Sequence, residues 1–177
     1  MKEMLFAIRW SNGSSVHTSP IARRILLVSS LCNSDKMEPP PKRNFLIINK
    51  QRKHAIDNGK VRRFVTSLVP ELGVDERAFS IVFVTDEKIR SLNRDYRGFD
   101  KPTDVLSFRG DSGYLGDILI SSETAYNQSR KSSTLSFESN VRRLVLHGLL
   151  HLMGYDHETD NGEMRAIERR LRRRFQC

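Results

Sequence analysis

The chain has 177 residues, which is enough for one compact domain with a shorter additional segment. Hydrophobic residues make up 38% and charged residues 29%, so the chain has enough apolar surface for a core and too little for a membrane protein. Thirty Lys and Arg against 21 Asp and Glu give a formal net charge of +9, which favours a polyanionic partner such as nucleic acid or an anionic membrane surface.

Residues 1–44 differ in composition from the rest of the chain. Residues 11–15 are rich in Ser, Asn and Gly, residues 39–41 are three prolines, and no hydrophobic periodicity is sustained in this segment. The sequence therefore predicts an extension outside the folded domain. The extension is either disordered or the product of a misassigned start codon, with Met37 as the true first residue.

From Phe45 onward, strand and helix patterns alternate. Strands are predicted at 45–48, 79–84, 105–108 and 115–120, and helices are predicted up to residue 72, from 86 to before 98, and around 122–131, 138–153 and 162–174. The order of the first five elements predicts two right-handed parallel crossovers, and the final hairpin adds an antiparallel strand. We therefore expect residues 45–177 to form an α+β domain, with a small mixed four-stranded sheet packed with about five helices.

Three of the five histidines fall within eleven residues. His147 and His151 are four residues apart in a predicted helix, so their side chains project from the same face. Gly154 is a natural helix terminator, and the turn after it can bring His157 back beside the other two. This spacing is typical of metal ligands, and three imidazoles leave a fourth tetrahedral position open, as in catalytic zinc sites. We expect the metal site on this helix and the loop that follows it.

The same segment differs at one position from the zinc-protease pattern H-E-x-x-H-x-x-G-x-x-H. Gly148 stands where that pattern has the Glu that acts as general base. Glycine has no group for this task. The spacing of the metal ligands is therefore kept, and the peptidase base is absent.

Four blocks of the segment 45–177 together form a recognisable pattern: Leu92-Asn93-Arg94-Asp95-Tyr96-Arg97, Lys101-Pro102-Thr103-Asp104-Val105-Leu106-Ser107-Phe108, Leu115-Gly116-Asp117-Ile118 and the segment from His147 to His157. Through these blocks the chain resembles the YbeY family of metal-dependent endoribonucleases, which act in bacterial ribosomal RNA maturation. The resemblance implies that His147, His151 and His157 bind one zinc ion per chain. It also implies that Arg97 is the catalytic arginine near the metal.

The resemblance implies a zinc-dependent, single-strand-specific endoribonuclease that acts in maturation of small-subunit ribosomal RNA and in ribosome quality control. The implied partners are single-stranded RNA, ribosomal RNA and the small ribosomal subunit, with no membrane and no DNA. Cys32 and Cys177 lie near opposite ends of the chain and cannot form a disulfide framework, which favours a reducing compartment and a cytoplasmic location. Two alternatives stay open: a zinc peptidase that uses another base, and a ribosome-associated RNA-binding factor whose zinc is structural.

Other charged residues have two interpretations each. The guanidinium of Arg97 offers a fork of donors that matches phosphate, or it is an ordinary solvated side chain. Asp104 and Asp156 either orient a ligand histidine or cap a loop. The arginine-rich stretch 169–174 either follows an RNA backbone or forms the solvated face of a terminal helix. This stretch, and Arg109 in place of a proline, depart from the family pattern.

Overall fold

The computed structural model describes residues 44–75, 77–111, 113–157 and 159–177. The predictions for the extension, including a start at Met37, lie outside the described residues. The strands are β1 (Phe45–Asn49), β2 (Ala78–Val84), β3 (Val105–Arg109) and β4 (Tyr114–Ser121), and the helices are α1 (Asn58–Leu72), α2 (Asp86–Arg97), α3 (Ser122–Arg130), α4 (Phe137–Met153) and α5 (Glu163–Phe175). Every predicted element is present, with limits that differ by only a residue or two.

The four strands form one mixed sheet in the order β1-β2-β4-β3. β1 pairs with β2 and β2 with β4 in parallel, whereas β3 and β4 are antiparallel. The predicted α+β class, with a mixed four-stranded sheet and five helices, is confirmed. One detail is wrong, because the prediction makes the second hairpin strand the antiparallel one. In the structure β3 runs antiparallel at the sheet edge, and β4 lies between β2 and β3.

Burial explains why β4 takes the interior position. Every residue from Leu115 to Ser121 is buried, as a strand covered on both faces requires. β3 has five residues, and Arg109 at its end is only partly buried, which suits a sheet edge. Both strands are apolar in sequence, so the hydrophobic pattern alone does not distinguish the central strand from the edge strand.

Helices cover both faces of the sheet. The buried side chains of α1, α4 and α5 form one core with strand residues that include Phe79, Ile81 and Ile118. On the opposite face, the ring of Tyr96 in α2 lies 5.1 Å from the ring of Phe108 in β3, centroid to centroid. None of the described helices has the length and apolar character needed to cross a membrane.

Candidate metal centre

α4 brings the first two histidines together. The helix begins after Ser136, whose hydroxyl accepts a hydrogen bond from the Ser139 backbone N–H and so satisfies a donor of the first turn. His147 and His151 are one turn apart, and their Nε2 atoms lie 3.1 Å from each other. His151 is 1% exposed, so this pair lies at the edge of the core.

The end of α4 positions the third histidine. Gly154 has a φ of 101°, a left-handed conformation that is unstrained for glycine, and its N–H donates to the His151 carbonyl at 3.0 Å. The Tyr155 N–H donates to the Leu150 carbonyl at 3.1 Å, which completes the helix stop. The chain then reverses, and the ring of His157 lies 5.7 Å from that of His147 and 5.5 Å from that of His151.

The three imidazoles can hold a metal ion. One ring nitrogen from each of His147, His151 and His157 lies within 4.8 Å of the other two. Metal–nitrogen bonds of about 2.0–2.1 Å in a tetrahedral site place ligand atoms roughly 3.4 Å apart, close to the separation of the two Nε2 atoms. The Nδ1 atoms of His151 and His157 are also buried without a hydrogen-bond partner among the described residues. The separation of the two Nε2 atoms therefore fits two ligands of one metal ion, with His157 beside them.

Burial keeps the imidazole of His151 neutral. Burial, followed by the neighbouring rings of His147 and His157, lowers the pKa of His151 to about 4, although Asp156 acts in the opposite direction. A neutral imidazole has a free lone pair, which is the form that binds a metal.

The structure gives a steric reason for the glycine that replaces the protease base. A Cβ atom added to Gly148 would lie 2.6 Å from Cγ2 of Ile118, which is fully buried in β4. The Gly148 carbonyl in turn accepts a hydrogen bond from the Ser107 hydroxyl at 3.3 Å. Position 148 therefore faces the sheet and has no room for a glutamate, which argues against the peptidase alternative.

Glu168 is a neighbour of the metal centre that sequence analysis missed. Its Oε1 atom lies 3.6 Å from Nδ1 of His147, and both side chains are largely shielded from solvent. Burial acts to raise the pKa of Glu168, but the His147 ring and the guanidinium groups of Arg172 and Arg143 more than offset it, so the pKa lies below its usual value. Glu168 lies 21 residues after His147 on another helix. Only the packing of α4 against α5 reveals the contact.

Arg143 is a second missed residue, and here the sequence does carry a signal. Arg143 precedes His147 by four residues in α4, the same spacing that separates His147 from His151. The side chain is half-buried. Burial, and then the charge of Arg172, lower the pKa of Arg143, while Asp104 and Glu168 act to raise it. The metal centre therefore has cationic neighbours on both α4 and α5.

Arg97 lies on a different element from the histidines. It is the last residue of α2, and its guanidinium carbon lies 5.5 Å from the centre of the Phe99 ring. β3 lies between α2, which carries Arg97, and α4, which carries two of the histidines. Phe108 contacts Tyr96 of α2, and the adjacent Ser107, which points to the other face of the sheet, contacts Gly148 of α4. The catalytic role of Arg97 stays a prediction.

Asp104 caps a loop and binds a glutamine side chain. Its Oδ1 atom accepts a hydrogen bond from the Val105 N–H at 2.9 Å, and its Oδ2 atom accepts one from Nε2 of Gln128 at 2.8 Å. Of the two interpretations offered by the sequence, the structure favours the loop cap.

Comparison with known proteins places the chain in a family. The family model described as Endoribonuclease YbeY matches residues 46–176. The chain belongs to the YbeY family. The Endoribonuclease YbeY of Geobacter sulfurreducens is 38% identical over 138 residues, which cover 73% of this chain and 91% of that protein. The Endoribonuclease YbeY of Aquifex aeolicus is 40% identical over 122 residues, or 66% of this chain and 81% of that protein.

A solved structure has a similar fold. The solution structure of TM1509 from Thermotoga maritima matches with a TM-score of 0.53 and 25% sequence identity. The match covers 71% of this chain and 85% of that one. The resemblance found in the sequence is thus confirmed at the level of the family and of the fold.

Proposed function

We propose that this protein is a zinc-dependent endoribonuclease specific for single-stranded RNA, acting in the cytoplasm in maturation of small-subunit ribosomal RNA and in ribosome quality control. The observation that carries the proposal is the convergence of His147, His151 and His157 in a chain whose relatives are named endoribonucleases. The proposal assigns the activity to residues 45–177, since all residues of the site lie there.

Zinc is the proposed metal because of the donor set. Three imidazoles without a thiolate or carboxylate suit a borderline-soft divalent ion, and zinc accepts the tetrahedral geometry that they impose. When bound, zinc supplies a Lewis acid with one open position for water or a phosphoryl oxygen. His147, His151 and His157 are the proposed ligands, and Glu168 fixes the orientation of the His147 ring.

The protein's own contribution to cleavage is electrostatic. Cleaving a phosphodiester bond builds negative charge on the phosphoryl oxygens, and a preorganised guanidinium stabilises that charge. We assign this role to Arg97, on the family resemblance and on its place at the end of α2, before the loop that leads to β3. The attacking oxygen comes either from water or from the RNA 2′-hydroxyl.

The net charge supports a nucleic-acid substrate. A surface with an excess of Lys and Arg binds phosphates and releases their counterions. We propose single-stranded RNA, ribosomal RNA and the small ribosomal subunit as partners, with no role for DNA or a membrane. The RNA-binding factor with structural zinc is the alternative that the experiment must separate.

The test uses one unstructured RNA of defined sequence, its duplex form, the matching DNA and casein. Each is incubated with purified protein, with chelator, and with chelator followed by added zinc. We expect zinc-dependent cleavage of single-stranded RNA only. A 2′,3′-cyclic phosphate on the product would assign the attack to the 2′-hydroxyl, whereas a 5′-phosphate with a 3′-hydroxyl on the other fragment would assign it to water. Zinc-dependent RNA binding without cleavage would instead support the binding factor.

A further inference from the structure

α5 has a buried apolar face and a cationic face. Met164 and Leu171 are buried, and Ile167 and Phe175 pack against the same core. The exposed arginines of this helix are Arg165, Arg169, Arg170, Arg173 and Arg174. The apolar side of α5 is therefore already used by the fold, and the arginines face solvent.

Several of these arginines are available for a ligand. Arg174 forms an ion pair with Glu71 at 2.8 Å. Within the described part of the chain, Arg169, Arg170 and Arg173 pair with no carboxylate. Unpaired guanidinium groups one helical turn apart form a row of donors that suits an extended polyanion.

Two grooves run along this face and share Arg169 and Arg173 as their common ridge. One groove, of about 520 Å³, is lined by Arg165, Glu168, Arg169, Arg172, Arg173 and Cys177. The other, of about 620 Å³, is lined by Ala166, Arg169, Arg170, Arg173 and Arg174. The residues that line each groove are three and four positions apart, so they lie along one side of the helix. Each groove therefore runs parallel to the helix axis.

The first groove reaches the metal centre through Glu168. The carboxylate of Glu168 lines the groove and also lies 3.6 Å from His147 Nδ1. Four arginines, Arg165, Arg169, Arg172 and Arg173, line the same groove as Glu168, so the lining side chains carry a net positive charge. The groove therefore passes beside His147, one of the proposed zinc ligands.

We propose that the groove of α5 around Arg169 and Arg173 binds the phosphodiester backbone of the RNA beside the cleavage site. This inference rests on the proposed endoribonuclease function and names its substrate-binding surface. Charge complementarity argues for RNA, and the burial of the apolar face argues against a membrane. A helix that binds a bilayer inserts apolar side chains, and those of α5 are packed in the core.

The test compares two double variants that each remove two positive charges. Arg169→Gln with Arg173→Gln changes the groove, and Arg77→Gln with Arg130→Gln removes exposed arginines at the start of β2 and the end of α3. Binding of zinc-loaded protein to an unstructured RNA of about 20 nucleotides is measured by fluorescence anisotropy at several salt concentrations. Cleavage is measured on the same RNA and on a trinucleotide, which is too short to fill the groove.

We expect the groove variant to reduce the magnitude of the slope of log K against log[salt] by about 1.4, where K is the association constant for RNA. Each phosphate contact on a single strand contributes about 0.7, and two contacts are lost. For the long RNA, KM rises with kcat unchanged, and trinucleotide cleavage is unaffected. The control variant keeps the wild-type slope.

Equal slopes in the two variants would overturn the inference and leave the proposed function intact. So would a groove variant that loses binding to phosphatidylserine vesicles but keeps its RNA slope. Wild-type protein that cuts no RNA would contradict the proposed function, and the salt dependence of RNA binding would still decide the role of the groove.

Discussion

Oε1 of Glu168 lies 3.6 Å from Nδ1 of His147, and the same ring presents Nε2 to His151 at 3.1 Å. One nitrogen of the ring thus faces a carboxylate, and the other faces the remaining ligands. This is the arrangement by which a carboxylate fixes the orientation of a metal-bound imidazole and raises its basicity. The site consequently depends on the docking of α5 against α4.

Replacing Glu168 with Gln should weaken zinc binding about 10- to 100-fold, because the neutral amide no longer raises the basicity of His147. Competition with a chromogenic chelator measures the affinity. Glu163→Gln is the control, since Glu163 is an exposed carboxylate in the first turn of the same helix. Equal zinc affinity in the two variants would remove Glu168 from the site.

Purified protein should carry about one zinc per chain, and His151→Ala should remove it, because two remaining ligands rarely hold a labile metal. Metal analysis after gel filtration decides this prediction. His54→Ala is the control, since His54 stacks on Tyr126 and lies outside the histidine cluster. Unchanged zinc content in single alanine variants of His147, His151 and His157 would show that the metal lies elsewhere.

Gly148→Ala should destabilise the fold by about 1–3 kcal/mol, the usual cost of overpacking a core. The added methyl group would lie 2.6 Å from the buried Ile118 side chain. Urea denaturation in the presence of chelator measures the effect without any contribution from the metal. Gly59→Ala in α1 is the control, since its Cβ contacts no core residue and lies 3.1 Å from Oδ1 of the N-cap Asp57. A small loss of capping works against the gain in helix propensity, so the net change should be smaller than that of Gly148→Ala. An unchanged midpoint for Gly148→Ala would contradict the packing described for α4.

Arg97→Ala should lower kcat on the order of 10²–10³, as loss of one stabilising donor does in acyl-transfer enzymes. Arg97→Lys should recover only part of this loss, because lysine keeps the charge but not the two-pronged contact. Zinc content should stay the same in both variants. Arg94→Ala, one turn earlier in α2, is the control. Weak RNA binding with a normal rate at saturation would assign Arg97 to substrate capture instead.

Tyr114 should ionise above the ordinary range for tyrosine. Burial, followed by the charge of Asp117, raises the pKa of Tyr114, whose hydroxyl donates to that carboxylate. At a pH at which the phenol of Tyr114 ionises in the unfolded chain, it stays protonated in the folded chain. The raised pKa thus contributes stability that is complete below about pH 10 and is lost as the pH rises further.

The ultraviolet absorbance of tyrosinate, compared between wild type and Tyr114→Phe, isolates this group. The difference should show a transition above pH 10, and the wild type should lose more stability than the variant at alkaline pH. A difference transition at the ordinary tyrosine value would contradict the burial of this hydroxyl.

The histidine cluster could be predicted from sequence because its spacing is local. His147 and His151 follow the helical repeat, and Gly154 marks the turn before His157, so no tertiary information is required. Glu168 could not be found in this way, because its relation to His147 exists only through helix packing. The prediction of which hairpin strand is antiparallel was wrong for a similar reason. β3 and β4 are both apolar and buried over most of their length, so their hydrophobic pattern does not show which of them pairs with β2.

The interior position of β4 has a consequence for the order in which the protein assembles. β4 is the last strand in the sequence, yet β2 and β3 both pair with it and Gly148 of α4 packs on its Ile118 side chain. Until the hairpin is inserted, β2 has an open edge capable of pairing with another chain. Insertion of the β3–β4 hairpin therefore removes this edge, and it also supplies the Ile118 surface on which Gly148 packs.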